Sequence, residues 1–231
     1  MTAPERIVET CNLCKTYELG AQKIEAIRDL NITIQAGDFV GIMGKSGSGK
    51  STLMHIIGCL EKPTEGMCKL GGQDVAQLSD QALSTMRATQ IGFVFQSFNL
   101  ITQYTVLENV AMPFLYRKEN RIEALERARA ALDRVGLSNR QEHRPFELSG
   151  GEMQRTAIAR ALVVEPLLIL ADEPTGNLDS ITSNDIIALF HEINQQGATL
   201  IVVTHEKEVA SHCQNIYVLE DGRIKDTEKC Q

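Results

Sequence analysis

Gly44-Lys45-Ser46-Gly47-Ser48-Gly49-Lys50-Ser51 fits the spacing G-x-x-x-x-G-K-[ST], and its reading decides the fold. The glycines let the backbone curl so that successive N–H groups face inward, toward phosphate oxygens. Lys50 then reaches the β- and γ-phosphates of a nucleotide, the Ser51 hydroxyl is placed to ligate Mg²⁺, and Thr52 follows in the first turn beyond. The apolar residues 39–43 before the loop read as a buried strand. Residues 51–57 after it read as a helix, whose N-terminal dipole favours an anion. Four constrained positions match by chance roughly once in a hundred chains of this length. The flanking strand and helix leave a plain Gly/Ser-rich turn as a poor reading. Lys45 reads as an exposed side chain at a variable position.

Outward from the loop, residues 91–95, 167–171 and 199–203 are also apolar for almost their whole length. That pattern suits a parallel sheet covered by helices on both faces. Residues 5–40 and 66–75 alternate more and are cut by Gly37, Gly66, Gly71 and Gly72, as in an antiparallel sheet. From residue 107 to 136 the chain is charge-rich with helical period. Ile122, Leu125, Leu132 and Val135 fall on one stripe and Gly136 is a stop signal. The expected architecture is α/β: a P-loop NTPase (RecA-like) core with an antiparallel β subdomain and an inserted α-helical subdomain. It is one domain over residues 1–231, with the core and β subdomain at about 1–96 and 156–231 and the helical subdomain at about 97–155.

The 231 residues are 43% hydrophobic and 23% charged, enough for a real core in one large domain. A formal charge of −7 argues against a nucleic-acid partner, which needs a basic excess. Aromatics at 5% with no Trp argue against base-stacking platforms. No apolar run approaches the ~20 residues that span a bilayer, and the opening Met1-Thr2-Ala3-Pro4-Glu5-Arg6 leads into no signal-peptide region. The chain therefore reads as cytoplasmic. Cys11 and Cys14 have C-x-x-C spacing. Cys59, Cys68, Cys213 and Cys230 form no second such pair for zinc, and the alternation over residues 7–13 reads as strand, so the cysteines read as free structural thiols.

Asp172 and Glu173 follow a buried strand, where ligands of open α/β sheets bind. Asp172 fits the Walker-B acid that holds Mg²⁺, and Glu173 is placed to polarise an attacking water. His205 ends another core strand, where it either senses a γ-phosphate or is structural. Gln96 ends a third, where it reaches Mg²⁺ or the water or is simply polar at a strand exit. Leu148-Ser149-Gly150-Gly151 opens an apolar-periodic helix that Ser149 can cap, and the first N–H groups there form a second anion site. Two phosphate-binding helix starts in one chain suggest two copies sharing nucleotides. GTPases read guanine with N-K-x-D, and the chain has none.

Taken together, Tyr17, the loop at 44–51, Gln96, Leu148-Ser149-Gly150-Gly151, Asp172-Glu173, Asn177-Leu178-Asp179 and His205 resemble, in order, the nucleotide-binding subunit of ATP-binding-cassette (ABC) transporters. The resemblance covers nearly the whole chain. It implies that Tyr17 stacks on adenine, Gln96 couples the site to a membrane partner, and Ser149 with Gly151 contacts the γ-phosphate held by the opposite subunit. It further implies that Asp179 helps build the dimer interface and that His205 holds the γ-phosphate and orients water. Residues 51–60, Pro63-Thr64-Glu65-Gly66, Gly72-Gln73-Asp74-Val75, Phe98-Asn99-Leu100 and residues 171–180 look like the macrolide-export and lipoprotein-release branch. Met153, and Ile101-Thr102-Gln103 near the expected docking surface, depart from the usual pattern.

The resemblance implies ATP and Mg²⁺ as cofactors, a homodimer closed by ATP, and an integral-membrane permease subunit as partner. The chain would then sit on the cytoplasmic face of the inner membrane. The rival reading is an ABC-type ATPase that regulates a cell-wall or division complex without moving solute. A DNA-repair ATPase would need coiled coils or zinc modules that the sequence lacks, and a small-molecule kinase would not need Leu148-Ser149-Gly150-Gly151.

Overall fold

Alternating residues at the start of the chain form β1 (Arg6–Leu19), β2 (Gln22–Leu30) and β3 (Thr33–Gln35). The computed structural model describes residues 5–20, 22–117 and 119–229, so Met1 to Pro4 and Cys230 lie outside the described residues. The apolar β4 (Phe39–Gly44) runs into the glycine-rich loop, and α1 (Lys50–Ile57) leaves it. β5 (Glu65–Leu70) returns to pair with β1 and β6 (Gln73–Asp74) pairs with β5, after which α2 (Asp80–Gln90) leads into β7 (Ile91–Phe95). Between β7 and β8 (Leu168–Asp172) lie α3 (Val106–Ala111), α4 (Arg121–Arg134) and α5 (Gly150–Leu162). The chain goes on through α6 (Ser180–Gln195), β9 (Leu200–Thr204), α7 (Lys207–Ser211), β10 (Asn215–Glu220) and β11 (Arg223–Lys229).

The main sheet has the order β11-β10-β4-β9-β8-β7. All its pairs are parallel except β10 with β11. The other sheet, β2-β1-β5-β6 with β3 on β1, is antiparallel throughout. Successive residues of the central strands feed opposite faces, as the period of two requires. Phe39, Leu200 and Val202 join one core cluster with Ile169, Ile158 and Phe190. Val40, Ile201 and Val203 join the other with Leu53, Met54 and Ile56. Each such fully buried side chain contributes about 1.5–3 kcal/mol.

Register sets the site. Met43 pairs with Thr204, Asp172 with Val203, and Phe95 with Asp172. The carboxyl ends of β4, β9, β8 and β7 therefore share one rim, and the residues that follow them emerge together.

Three features differ from the sequence reading. On α4 the buried positions are Ala124, Ala128, Ala131 and Leu132, while Ile122 is 68% exposed. Small residues face inward there because α4 packs against neighbouring helices. Residue 155 lies inside α5, so no break in the chain falls there. The hairpin of β10 and β11 adds to the sheet beside β4; its turn places Asp221 at φ +49° and Gly222 at φ +78°, the left-handed pair that a two-residue hairpin needs.

Candidate functional site

The loop between β4 and α1 is pinned to its surroundings. Gly47 and Gly49 have φ of +81° and +103°, conformations that L side chains rarely adopt. A Cβ on Gly49 would lie 2.5 Å from the Ala26 carbonyl oxygen, and one on Gly44 would collide with the Leu219 carbonyl and Ser48 Oγ. Lys50 Nζ donates to the carbonyls of Gly44 (2.7 Å) and Lys45 (3.0 Å), so the ammonium lies over its own loop. Ser48 Oγ is buried with no hydrogen-bond partner among the described residues.

A cleft of about 1550 Å³ is lined by Gly44, Ser46, Gly47, Ser48, Gly49, Lys50, Ser51 and Thr52, together with Gln96, Asp172, Glu173 and His205. Glu173 follows β8 in a left-handed conformation, φ +44°. Its N–H bonds the Val203 carbonyl at 2.8 Å. Its Oε1 lies 2.8 Å from His205 Nδ1, and that carboxylate raises the imidazole above its ordinary pKa. Burial, then the adjacent Glu173 charge, raises Asp172, against the lowering effects of His55 and Lys50. Gln96 is held by Asn177, whose Nδ2 donates to the Gln96 carbonyl at 3.0 Å. Ser51, Gln96 and Asp172 give a hydroxyl, an amide and a carboxylate on one cleft, an all-oxygen set that fits a hard divalent cation. A bound cation would offset the charge that burial disfavours at Asp172.

Tyr17, Ser149, Gly150, Gly151 and Asp179 are not among the residues that line this cleft. Tyr17 adjoins it, since its cross-strand partner Ile24 is a lining residue. The Tyr17 hydroxyl donates to Glu61 Oε2 at 2.7 Å, and Lys15 Nζ lies 5.1 Å from the ring centroid. Burial raises Glu61, but hydrogen bonds from Tyr17, Lys15 and His55 outweigh it and hold the carboxylate below its usual range. Ser149 caps α5 in a reciprocal box: its Oγ accepts from Glu152 N (3.3 Å), and its own N–H donates to Glu152 Oε2 (2.8 Å). Asp179 caps α6 by accepting from the N–H groups of Ile181 (3.1 Å) and Thr182 (3.0 Å). The two caps are neighbours, because a Cβ on Gly151 would lie 2.6 Å from Thr182 Cγ2.

Sequence reasoning passed over Asn177 as a holder of Gln96, and also two buried polar residues of α5. Gln154 Nε2 donates to the Pro174 carbonyl at 2.8 Å, and Arg160 bonds the Phe98 and Asn99 carbonyls. In the sequence each reads as an ordinary polar residue of an apolar-periodic helix, with nothing local to mark its burial.

The family model for ABC transporters matches residues 27–176. The chain is 46% identical to an uncharacterized ABC transporter ATP-binding protein of Thermotoga maritima, over 97% of this chain and 96% of that one. It is 45% identical to the lipoprotein-releasing system ATP-binding protein LolD of Geobacter metallireducens, over 94% and 97%. Identity is also 45% to the macrolide export ATP-binding/permease protein MacB of Bdellovibrio bacteriovorus. That match takes in 97% of this chain but only 34% of that protein, so the chain spans about a third of it. The dimeric post-hydrolysis structure of the ATP-binding cassette MJ0796 bound to ADP and Pi has a TM-score of 0.88 at 44% identity, covering 97% and 99% of the two chains.

Proposed function

The chain belongs to the ABC transporter family as an ATP-binding subunit that hydrolyses ATP, and from that premise we propose how its residues divide the work. Residues 44–52 cradle the phosphates of ATP, and Lys50 neutralises the β- and γ-groups. Ser51, Gln96 and Asp172 hold Mg²⁺, which when bound offsets the charge on the β- and γ-phosphate oxygens. Glu173 accepts a proton from water as its oxygen attacks the γ-phosphorus in line and the bond to the ADP oxygen breaks. His205 fixes the Glu173 carboxylate through Nδ1 and adds positive character beside the γ-phosphate. The reading rests above all on the 2.8 Å contact between Glu173 and His205 at the rim that carries Lys50 and Asp172.

A second copy completes the site. Ser149, Gly150, Gly151 and Asp179 lie off the chain's own cleft, and the solved cassette MJ0796 is dimeric. In the closed homodimer Ser149 and Gly151 meet the γ-phosphate held by the partner copy, Asp179 lines the interface and Tyr17 stacks on adenine. The helices that follow Gln96 form the helical subdomain of one ATPase domain, and with Gln96 they face an integral-membrane permease subunit. Among the described residues no helix is long and apolar enough to cross a membrane. The chain works at the cytoplasmic face of the inner membrane through that partner. The names of the relatives support export or extraction of a lipoprotein, macrolide or peptide substrate.

Glu173→Gln tests the assignment. The amide keeps the shape and spares Lys50, Ser51 and Asp172, so MgATP still binds. Loss of the base lowers the hydrolysis rate by about 10²–10⁴-fold. Opening waits on hydrolysis, so the variant accumulates as an ATP-bound dimer in size-exclusion chromatography, while the wild type in ADP runs as a monomer. Hydrolysis at the wild-type rate would remove Glu173 from the role of base.

A further inference from the structure

Helix α5 carries Ser149 at its start and grips both chemical loops with polar side chains on its buried face. Gln154 bonds the carbonyl of Pro174, one residue past Glu173. Arg160, only 8% exposed, donates from Nη1 to the Asn99 carbonyl (2.6 Å) and from Nη2 to the Phe98 carbonyl (2.8 Å). Those carbonyls lie two and three residues beyond Gln96. Phe98 and Asn99 both sit in the left-handed region, at φ +59° and +49°. Two successive non-glycine residues there persist only where the surroundings over-determine them. On its other side Gln96 is tied to Asn177. The segment from Gln96 to Asn99 is thus held at one end by the loop after β8 and at the other by the helix that Ser149 caps.

Among the described residues the Arg160 fork meets carbonyls and no carboxylate, and burial lowers its pKa. Burying a charge with no opposite charge beside it is costly, and here the two hydrogen bonds to carbonyls offset that cost. What the guanidinium adds is a planar pair of donors matched to two adjacent carbonyls, a geometry that a lysine ammonium on its flexible stem does not reproduce.

We infer that Arg160 is a positioning residue for ATP hydrolysis: it clamps the turn at Phe98 and Asn99 to α5, so that Gln96 holds its place in the cleft and moves with the helix that carries Ser149. The inference deepens the proposed function and rests on its assignment of Gln96 and Ser149.

A double-mutant cycle on steady-state MgATP hydrolysis tests it. Arg160→Lys keeps the charge and loses the fork; Arg160→Met keeps the stem and loses both. Each is measured alone and in a Gln96→Ala background, with ATP affinity followed by a fluorescent nucleotide. Arg160→Lys is expected to lower kcat about 10–100-fold, with KM within about threefold. In the Gln96→Ala background the same change lowers kcat by less than about twofold, because the group it positions is gone. Arg160→Met behaves alike, and if it fails to fold, the lysine variant carries the cycle. Equal losses in both backgrounds, or wild-type kcat in Arg160→Lys, overturn the inference while leaving the functional reading intact. A wild-type protein that does not hydrolyse MgATP overturns that reading instead.

Discussion

Gly47 and Gly49 both need positive φ, yet they are not equally replaceable. A Cβ on Gly47 would meet nothing within 4 Å, so Gly47→Ala carries only the left-handed strain, about 1–2 kcal/mol. At Gly49 the same atom would lie 2.5 Å from the Ala26 carbonyl oxygen and 2.9 Å from Ile27 Cδ1. Backbone cannot step aside as a side chain can, so overpacking adds about 1–3 kcal/mol. Urea unfolding of the two variants should rank Gly49→Ala well below Gly47→Ala; equal losses would mean that strain alone selects glycine. Lys50→Ala separates binding from folding in the same loop. It removes a charged donor to phosphate, worth about 1.5–3 kcal/mol, so ATP affinity should fall roughly 10–150-fold by equilibrium binding. Unchanged affinity would end the cradle assignment. About half of the residues lining the cleft were legible in the sequence, because their chemistry is local: a loop spacing, or an acid or histidine after an apolar run. Gln154 and Arg160 were not, because each reads as an ordinary polar residue of a helix. Their burial is decided by what packs over α5, a tertiary fact that no local pattern carries.

At the scale of elements, α5 owes its start to a charge. The Ser149 backbone N–H, then Arg140 at 2.7 Å, hold Glu152 below the usual carboxylate range, against a smaller opposing effect of burial. A carboxylate with a depressed folded pKa binds fewer protons than its unfolded counterpart. Its contribution is therefore whole above about pH 4.3 and is lost as pH falls through the folded value. Glu152→Gln keeps an acceptor for the cap but has no charge to lose. The wild type should be the more stable at pH 6–7, and its advantage in urea midpoint should shrink toward zero below about pH 4. An advantage independent of pH would assign the cap to hydrogen bonding alone. Elements were legible where period and length agreed, as in the apolar strands of the main sheet. Helix α4 was legible as a helix and, at Leu125, Leu132 and Val135, in its facing; Ile122 alone lies off the buried face, where close helix packing also takes Ala124, Ala128 and Ala131. The strands β10 and β11 went unread although Asp221-Gly222 carries the hairpin signal between them, because the charge-rich Arg223–Lys229 masks its alternation.

For the whole molecule, the decisive matter is that its phosphate cradle and its Ser149 cap lie apart. The cleft takes in Lys50 and Glu173 and not Ser149, while Phe146 and Ile181, near the caps of α5 and α6, are 73% and 76% exposed. On the proposed reading, this surface is where a second copy meets the chain. Ser149→Arg should therefore leave ATP binding to a single chain near normal while abolishing both the ATP-bound dimer and hydrolysis. Two side effects need controls. Losing the serine cap costs about 1 kcal/mol of helix stability, and Ser149→Ala, which shares that loss without the bulk, should still dimerise. Charge acts the other way. Each chain carries a formal −7, so an added arginine lowers the repulsion between two copies. If Ser149→Arg nevertheless stays monomeric in excess MgATP, bulk at the shared site is the cause, and Ser149→Glu should fail by bulk and repulsion together. Combining Ser149→Arg with Glu173→Gln completes the test by chromatography, because the second change alone traps the dimer. A double variant that still elutes as an ATP-bound dimer would place Ser149 outside the interface and return the nucleotide to one chain.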